Sequence, residues 1–416
     1  MHARSAPLAA ALLVAASLAA CSDDQDAPVD APTLKAGVLV SLTGTWSTLG
    51  RTSVSALQAA AADANAELGV TEPGAKVTLR IIDTKLEPDL ALDGLRTLAA
   101  EGVKVVIGPQ SSSEVRALKA FADSAGIVLI SQGSTAGSLA IANDFVYRFV
   151  PNDSLEAEAL VALLQRDGIT VLVPLWRDDA GNQGLHDAVE KAFTRAGGTM
   201  LAGVMYGPDV TDFTPALAAL KPQLAIAATQ AGGTAKAAVY YAAFNENVDV
   251  FELASADPAF SALKWYGSDG TALSAFLPAS ATASGFAHQV GYWNPTFGIS
   301  AALEAEWSGL AAEIEAATGI MPGPFAFAAY DALRVAARAW RRAGYSTAGT
   351  ALHDAVPVEA AAYSGATGAT MLDAAGDRAT AGFDFWVVCP VNGGWEWTKS
   401  FTYLSGTIGG TAGCTP

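Results

Sequence analysis

Continuous apolar runs of strand length alternate along this chain with stretches of helix length, and that alternation limits the possible folds more than any other feature. "KAGVLVSL" (35–42) precedes a helix expected over 52–68, "KVTLRIID" (76–83) precedes one over 90–100, and "VKVVIG" (103–108) precedes one over 112–125. "GIVLIS" (126–131) follows directly. Apolar strands interleaved with helices of this length predict βαβ units and parallel sheet covered on both faces.

After "FVYRFVPND" (145–153) the pattern restarts. A helix over 155–166, a strand "TVLVPLW" (170–176), a helix over 184–196, a strand "TMLAGVMYG" (199–207), a helix over 213–220 and a strand "QLAIAAT" (223–229) are expected, with a further strand over 263–266. Two successive α/β sets predict two lobes, and the short connection through Pro151 suits a hinge between them. The last third differs. Two long helices, over 299–317 and 325–344, lead to "FDFWVVCPV" and "WEWTKSFTYL", which the turn Asn392-Gly393-Gly394 joins as a hairpin.

The first twenty residues carry Arg4 and then the small and apolar run from Leu8 to Ala20. A basic start before an apolar core shorter than the roughly 20 residues of a membrane span describes a secretory signal peptide. Leu18-Ala19-Ala20-Cys21 resembles the lipobox of bacterial lipoproteins, which makes Cys21 the expected acylated residue and 1–20 the expected leader. Residues 21–33 are acidic and Pro-rich without apolar periodicity, and are expected to be a disordered tether to a body that begins near Leu34. The lipid is then the only membrane contact expected. In an oxidising compartment the remaining cysteines, Cys389 and Cys414, are expected to pair, which on the chain-entropy account contributes roughly 3 to 4 kcal/mol. A metal site on two thiols is the weaker alternative.

A formal net charge of −17 argues against nucleic acid and against charge-driven binding to anionic lipid. Catalysis is not expected either. His186, His288 and His353 are scattered without metal-ligand spacing, and no Gly-x-Ser-x-Gly elbow is present. No cofactor is expected.

Two strand-to-helix turns carry the binding chemistry. In an open α/β sheet, ligands sit beyond the carboxyl ends of the strands, where a helix start offers unpaired N–H groups and partial positive charge. "IGPQSSSEV" (107–115) places Ser111, Ser112 and Ser113 at such a start, and "IVLISQGSTAG" (127–137) places Gly133, Ser134 and Thr135 after the next strand. Any one serine of the first run is open to the simpler role of a helix cap. Together the two turns suit a small carboxylate; neither contains the Lys of a P-loop, so nucleotide phosphate fits poorly. Asp269, in "WYGSDG", is open both to receiving an ammonium group and to serving as a plain turn residue.

From about Lys35 to Tyr403 the chain resembles the type I periplasmic binding proteins of the branched-chain amino acid and amide uptake family, the substrate-binding subunits of ABC importers. The matching pieces, in order, are "GVLVSLTGTWSTLG", "VIGPQSSSEV", "ISQGST", "YGSDG", "PFAFAAYDALRVAARAW" and "YSGATGATMLDAAGDRATAGFDFWVV". The resemblance implies a two-lobed fold with a multi-stranded hinge. Lobe 1 would be 34–150 plus about 284–355, and lobe 2 would be 151–283 plus about 356–416. It places carboxylate contacts on Ser112 and Thr135, and ammonium contacts on the Gly133 carbonyl and the Asp269 side chain. Gly181 and Leu49 stand where aromatic residues often line the family's pocket, so the side-chain pocket is expected to be reshaped. Trp46 is the best-placed aromatic wall, with Trp176, Gln230, Tyr292 and Trp293 as further candidates. Tyr330 resembles a position that often faces the cleft, and is equally open to a core role. The implied protein is a monomeric, lipid-anchored solute binder that closes on a small amino acid, amide or carboxylate and presents it to an ABC permease. A ligand-sensing lipoprotein with the same cleft is the alternative.

Overall fold

The computed structural model describes residues 31–414. The expected leader, Cys21 and most of the expected tether lie outside the described residues. The chain opens with β1 (Thr33–Val40), α1 (Ser47–Thr71), β2 (Lys76–Asp83), α2 (Pro88–Ala100), β3 (Val105–Ile107), α3 (Ser112–Ala125), β4 (Val128–Ser131) and β5 (Val146–Arg148). These five strands form one parallel sheet in the order β2-β1-β3-β4-β5. Strands buried on both faces, such as β3 and β4, explain why these stretches read as unbroken apolar runs.

A second set follows: α4 (Asp153–Arg166), β6 (Val171–Arg177), α5 (Ala180–Arg195), β7 (Thr199–Met200), β8 (Val204–Tyr206), α6 (Thr214–Ala231), β9 (Ala237–Ala242), α7 (Asn247–Ala254), β10 (Lys264–Tyr266), α8 (Phe276–Ala279) and α9 (Ala281–Val290). Its sheet is also parallel, in the order β10-β9-β6-β7, with β8 pairing β6 as well.

The rest of the chain comprises β11 (Asn294–Gly298), α10 (Glu304–Thr318), α11 (Pro324–Arg342), α12 (Gly349–Ala362), β12 (Ser364–Gly365), β13 (Gly368–Ala369), β14 (Gly382–Val391), β15 (Gly394–Leu404) and β16 (Thr407–Gly410). Here α11 packs on α1, β3 and β4, and α12 on α11 and β4, so both cover the first sheet. Strands β11, β14, β15 and β16 make a third, antiparallel sheet against which α4 and α9 lie. Cys389 and Cys414 form a disulfide that ties β14 to the end of the chain, 25 residues on. The boundaries expected at about 284 and 356 fall inside α9 and α12 respectively.

Two expected strands are corrected. "QLAIAAT" is not a strand but the second half of α6. Leu217, Leu220, Leu224 and Ala227 bury one face of that helix at helical spacing, Gln, Leu and Ala favour helix, and Gly232 ends it in the left-handed conformation. The strand of this unit is β9, "AAVYYA", buried throughout. "TMLAGVMYG" divides into β7 and β8 around Gly203, which has φ +66° and where a Cβ would lie 2.2 Å from the Pro174 carbonyl oxygen. Helices α7, α9 and α12 and strands β11 and β16 add elements that the periodicity did not predict.

Candidate functional site at the strand ends

The two small-residue turns of the first sheet are stitched into one surface. Ser111 is the N-cap of α3: its Oγ accepts from Glu114 N–H at 3.3 Å, and its own N–H and hydroxyl donate to Glu114 Oε2 at 3.0 and 2.7 Å. This capping box commits Ser111 to helix initiation. Ser112 is free of that duty. Its hydroxyl lies 3.0 Å from that of Ser134 and accepts from Ala136 N–H at 3.2 Å. Ser131 links the turns from below, donating to the Pro109 carbonyl at 2.6 Å and accepting from Ser134 N–H at 3.0 Å. Thr135 is buried beside them, and its carbonyl accepts from Asp153 N–H at 2.9 Å. Ser112, Ser134 and Thr135 thus converge on one spot at the N-terminus of α3.

The second unit meets this surface directly. Asp179 caps α5, accepting from Gly181 and Asn182 N–H at 2.9 and 3.0 Å, and Ala180 N–H donates to Ser113 Oγ at 3.0 Å. A Cβ on Gly181 would stand 3.7 Å from Ser112 Oγ, in ordinary contact, so Gly181 adjoins the serine. On the other side Ala275 N–H donates to Thr48 Oγ1 at 3.2 Å, and the Trp46 ring packs 4.8 Å from Phe244. Trp46 and Leu49 both reach Gly133, where a Cβ would meet them at 3.3 and 3.4 Å. The expected set Trp46, Leu49, Ser112, Gly133, Ser134, Thr135 and Gly181 is therefore assembled where the two sheets' loops face each other.

Asp269 follows β10 and is buried. Its N–H donates to Glu156 Oε1 at 3.2 Å, and Glu156 shares the first turn of α4 with Asp153. Burial pushes the Asp269 carboxyl up to about 8, with Asp153 reinforcing the shift. Burial likewise takes Asp153 up to about 7, against the pull of the Thr135 hydroxyl and of nearby Arg148. Glu156 is raised by burial and by the negative charge of Asp269 and Asp153. Asp153 and Glu156 were not anticipated as site residues, because acids in a helix's first turn ordinarily serve the helix dipole.

Other candidates lie elsewhere. Gln230 is exposed near the end of α6, and Tyr330 donates to Asp63 across the α1–α11 contact. Tyr292 is core, packed on Phe251 and Tyr241. Trp293 lies against Tyr266 and Phe401, while Trp176 stacks on His186 at 4.1 Å and donates to Gln183. Among the described residues the one grouping with metal-ligand proximity is His186, Asp187 and Glu190; its two carboxylates are exposed, which describes a solvated helix turn as well as any centre.

Two cavities flank the meeting point. One of about 520 Å³ is lined by Gly137, Asp153, Asp179 and Gly184 among others, and one of about 320 Å³ by Ser111, Ser113, Arg177 and Phe244 among others. Arg116, Asp178 and Asp179 line both.

Two helix-covered parallel sheets with small-residue strand ends facing each other make the α/β architecture of a cleft-binding protein. The sequence profile of the periplasmic binding protein family matches residues 33–388, and the chain belongs to that family, one of non-enzymatic solute-binding proteins. An uncharacterized protein of Methanocaldococcus jannaschii is 27% identical over 268 residues, 61% of this chain; the match spans 62% of that relative's length. A leucine binding protein of Thermotoga maritima superposes with a TM-score of 0.69 at 20% identity, covering 89% of this chain and 99% of that one. A solute binding protein of an ABC transporter from R. palustris, in complex with benzoate, gives 0.70 at 20% identity, covering 88% and 96%.

Proposed function

We propose that the chain is an extracytoplasmic, lipid-anchored solute-binding protein that captures a small amino acid or related carboxylate and presents it to the permease of an ABC importer. One observation carries this reading: Ser112 and Ser134 meet at the N-terminus of α3, the adjoining Thr135 carbonyl accepts from Asp153 N–H at the start of α4, and Glu156, one turn on, accepts from the N–H of the buried Asp269. Hydroxyls at a helix N-terminus suit a carboxylate, and a buried acid suits an ammonium group. In this reading the first lobe is built on β1 to β5 and the second on β6 to β10, with the antiparallel sheet at the crossings. Closure joins them through the contact of Ser113 with Ala180. Cys21 would carry the anchor, which suits the lipobox-like "LAAC" before it.

The test is thermal unfolding of the chain from Leu34 onward, refolded from denaturant to strip carried-over ligand, against α-amino acids, amides and aromatic carboxylates. A compound present at 100 times its Kd should add roughly 2.7 kcal/mol. A melting temperature unmoved by every member of the panel would remove this function.

A further inference from the structure

We propose that Leu273 is a positioning residue for capture: it plugs the second lobe into a socket of the first and sets the affinity for every solute alike, without touching the solute. The inference rests on capture between two lobes, as proposed above, and adds the contact that holds the closed form.

Leu273 lies in the loop after β10, 8% exposed, with φ +60°. A bulky side chain enters the left-handed region only at a cost, and it stays there where surrounding contacts hold it. The loop is braced from its own side. The Ser274 carbonyl accepts from Trp397 Nε1 of β15 at 2.8 Å, and Ser274 Oγ donates to Asn245 Oδ1 at 3.0 Å. Thr271 Oγ1 donates to the Ser268 carbonyl at 3.0 Å. The leucine is thus presented on a backbone that is already fixed, so little order is lost when it meets its partner.

The partner surface belongs to the first lobe. Leu273 lines a residual cavity of about 30 Å³ together with Trp46 and Leu49 at the start of α1 and with Met321, Gly323 and Phe325 at the start of α11. The socket is nearly full. Gly323 forms its seat, since a Cβ there would stand 3.2 Å from Leu273 Cδ1, closer than ordinary contact. The Trp46 ring meets Phe325 edge-on at 6.0 Å, and Trp46 itself has φ +59°. Two non-glycine residues in the left-handed conformation, one from each lobe, therefore line the same small space. Two positions past the leucine, Ala275 N–H donates to Thr48 Oγ1 at 3.2 Å, a second link across the same boundary.

A contact changes affinity only as far as it differs between the open and the closed form. Parting the lobes would give Leu273 and Leu49 to water and give the Thr48 hydroxyl and the Ala275 N–H water as partners. Closing buries the apolar surface again. Because the leucine meets the other lobe and not the solute, this gain is the same whatever solute lies in the cleft.

The experiment is calorimetric titration of the refolded chain from Leu34 onward, and of Leu273→Ala, Leu273→Asn and Thr48→Val, with L-leucine, L-glutamine, L-lysine and benzoate. Leu273→Ala should weaken every solute that binds the parent by roughly tenfold, the worth of burying most of one leucine side chain, and the ratios between solutes should stay as they are. Leu273→Asn should lose as much, because asparagine tolerates the left-handed backbone but supplies no apolar plug. Thr48→Val should weaken the same solutes by roughly three- to tenfold, since it leaves the Ala275 N–H without its acceptor in the closed form. The ligand-free variants should keep the parent's melting temperature. Parent-like affinities in all three variants would overturn the inference and leave the solute-binding reading intact. A loss confined to one solute would overturn it too, by placing Leu273 against that solute, and so would a lowered melting temperature of the ligand-free Leu273 variants with unchanged affinities. Binding of none of the four compounds to the parent would remove the solute reading and the inference with it.

Discussion

Arg148→Ala is expected to lose about 3 to 5 kcal/mol of unfolding free energy, the usual cost of removing one partner from a buried ion pair. Arg148 and Asp377 side chains are each 1% exposed, and the guanidinium meets the carboxylate through both Nε and Nη2. Without the arginine, Asp377 keeps a buried charge and no counter-ion. The double variant Arg148→Ala, Asp377→Ala removes both charges and is expected to be more stable than the single one. Urea unfolding of the three proteins measures the difference; a single variant within about 1 kcal/mol of the parent, the range of exposed pairs, would contradict the assigned role. The same arginine donates to the Ala136 carbonyl at 2.6 Å, and Ala136 N–H donates to Ser112. Arg148 is therefore a positioning residue for the hydroxyl cradle as well as a link between β5 and the segment after β13.

The second large expected effect is a loss of stability as pH rises. Asp153 and Asp269, with an ordinary value of 3.8, are pushed up to about 7 and about 8, chiefly by burial, and Glu156 is raised from 4.5 in the same way. Between their ordinary range and these raised values the folded chain binds more protons than the unfolded one. Stability from these groups is thus fully present at low pH and is lost as the pH climbs through the folded values. The expected decrease for the ligand-free protein, from about pH 5 to about pH 8, is on the order of several kcal/mol. Urea unfolding at a series of pH values measures it, and Glu156→Gln with Asp269→Asn should flatten the slope. A stability that increases across this window in the parent protein would show that burial does not raise the three acids.

Much of the first sheet was legible because β3 and β4 are buried on both faces and read as unbroken apolar runs, β2 is rich in β-branched residues, and each helix is long enough to show its period. "KVTLRIID" coincides with β2, and the helix expected over 112–125 coincides with α3. The second unit was harder to read. Its alanine-rich segments carry little contrast between helix and strand, so "QLAIAAT" was taken for a strand while "AAVYYA" passed unnoticed. The misplacement of Gln230 follows from that error, since it was expected just beyond a strand that is in fact helix.

The hydroxyl half of the site was legible for a physical reason. Small residues directly after a strand and before a helix leave backbone N–H groups uncovered, and "IGPQSSSEV" and "ISQGSTAG" offer this on adjacent strands. Ser111 still went to the capping role, which local sequence alone left open. The acidic half was not legible. Asp153 and Glu156 read as ordinary first-turn acids, and what sets them apart is burial against Asp269, a residue more than a hundred positions later. Burial of this kind depends on how α4 packs, not on local pattern.

The measurement that bears most directly on capture between two lobes is solution X-ray scattering of the refolded chain from Leu34 onward, alone and with a saturating concentration of the compound that most raises its melting temperature. Closure by hinge motion predicts a smaller radius of gyration with the ligand than without it. Superimposable profiles, with binding confirmed on the same samples, would contradict closure on the solute and place the binding event somewhere other than the facing strand ends.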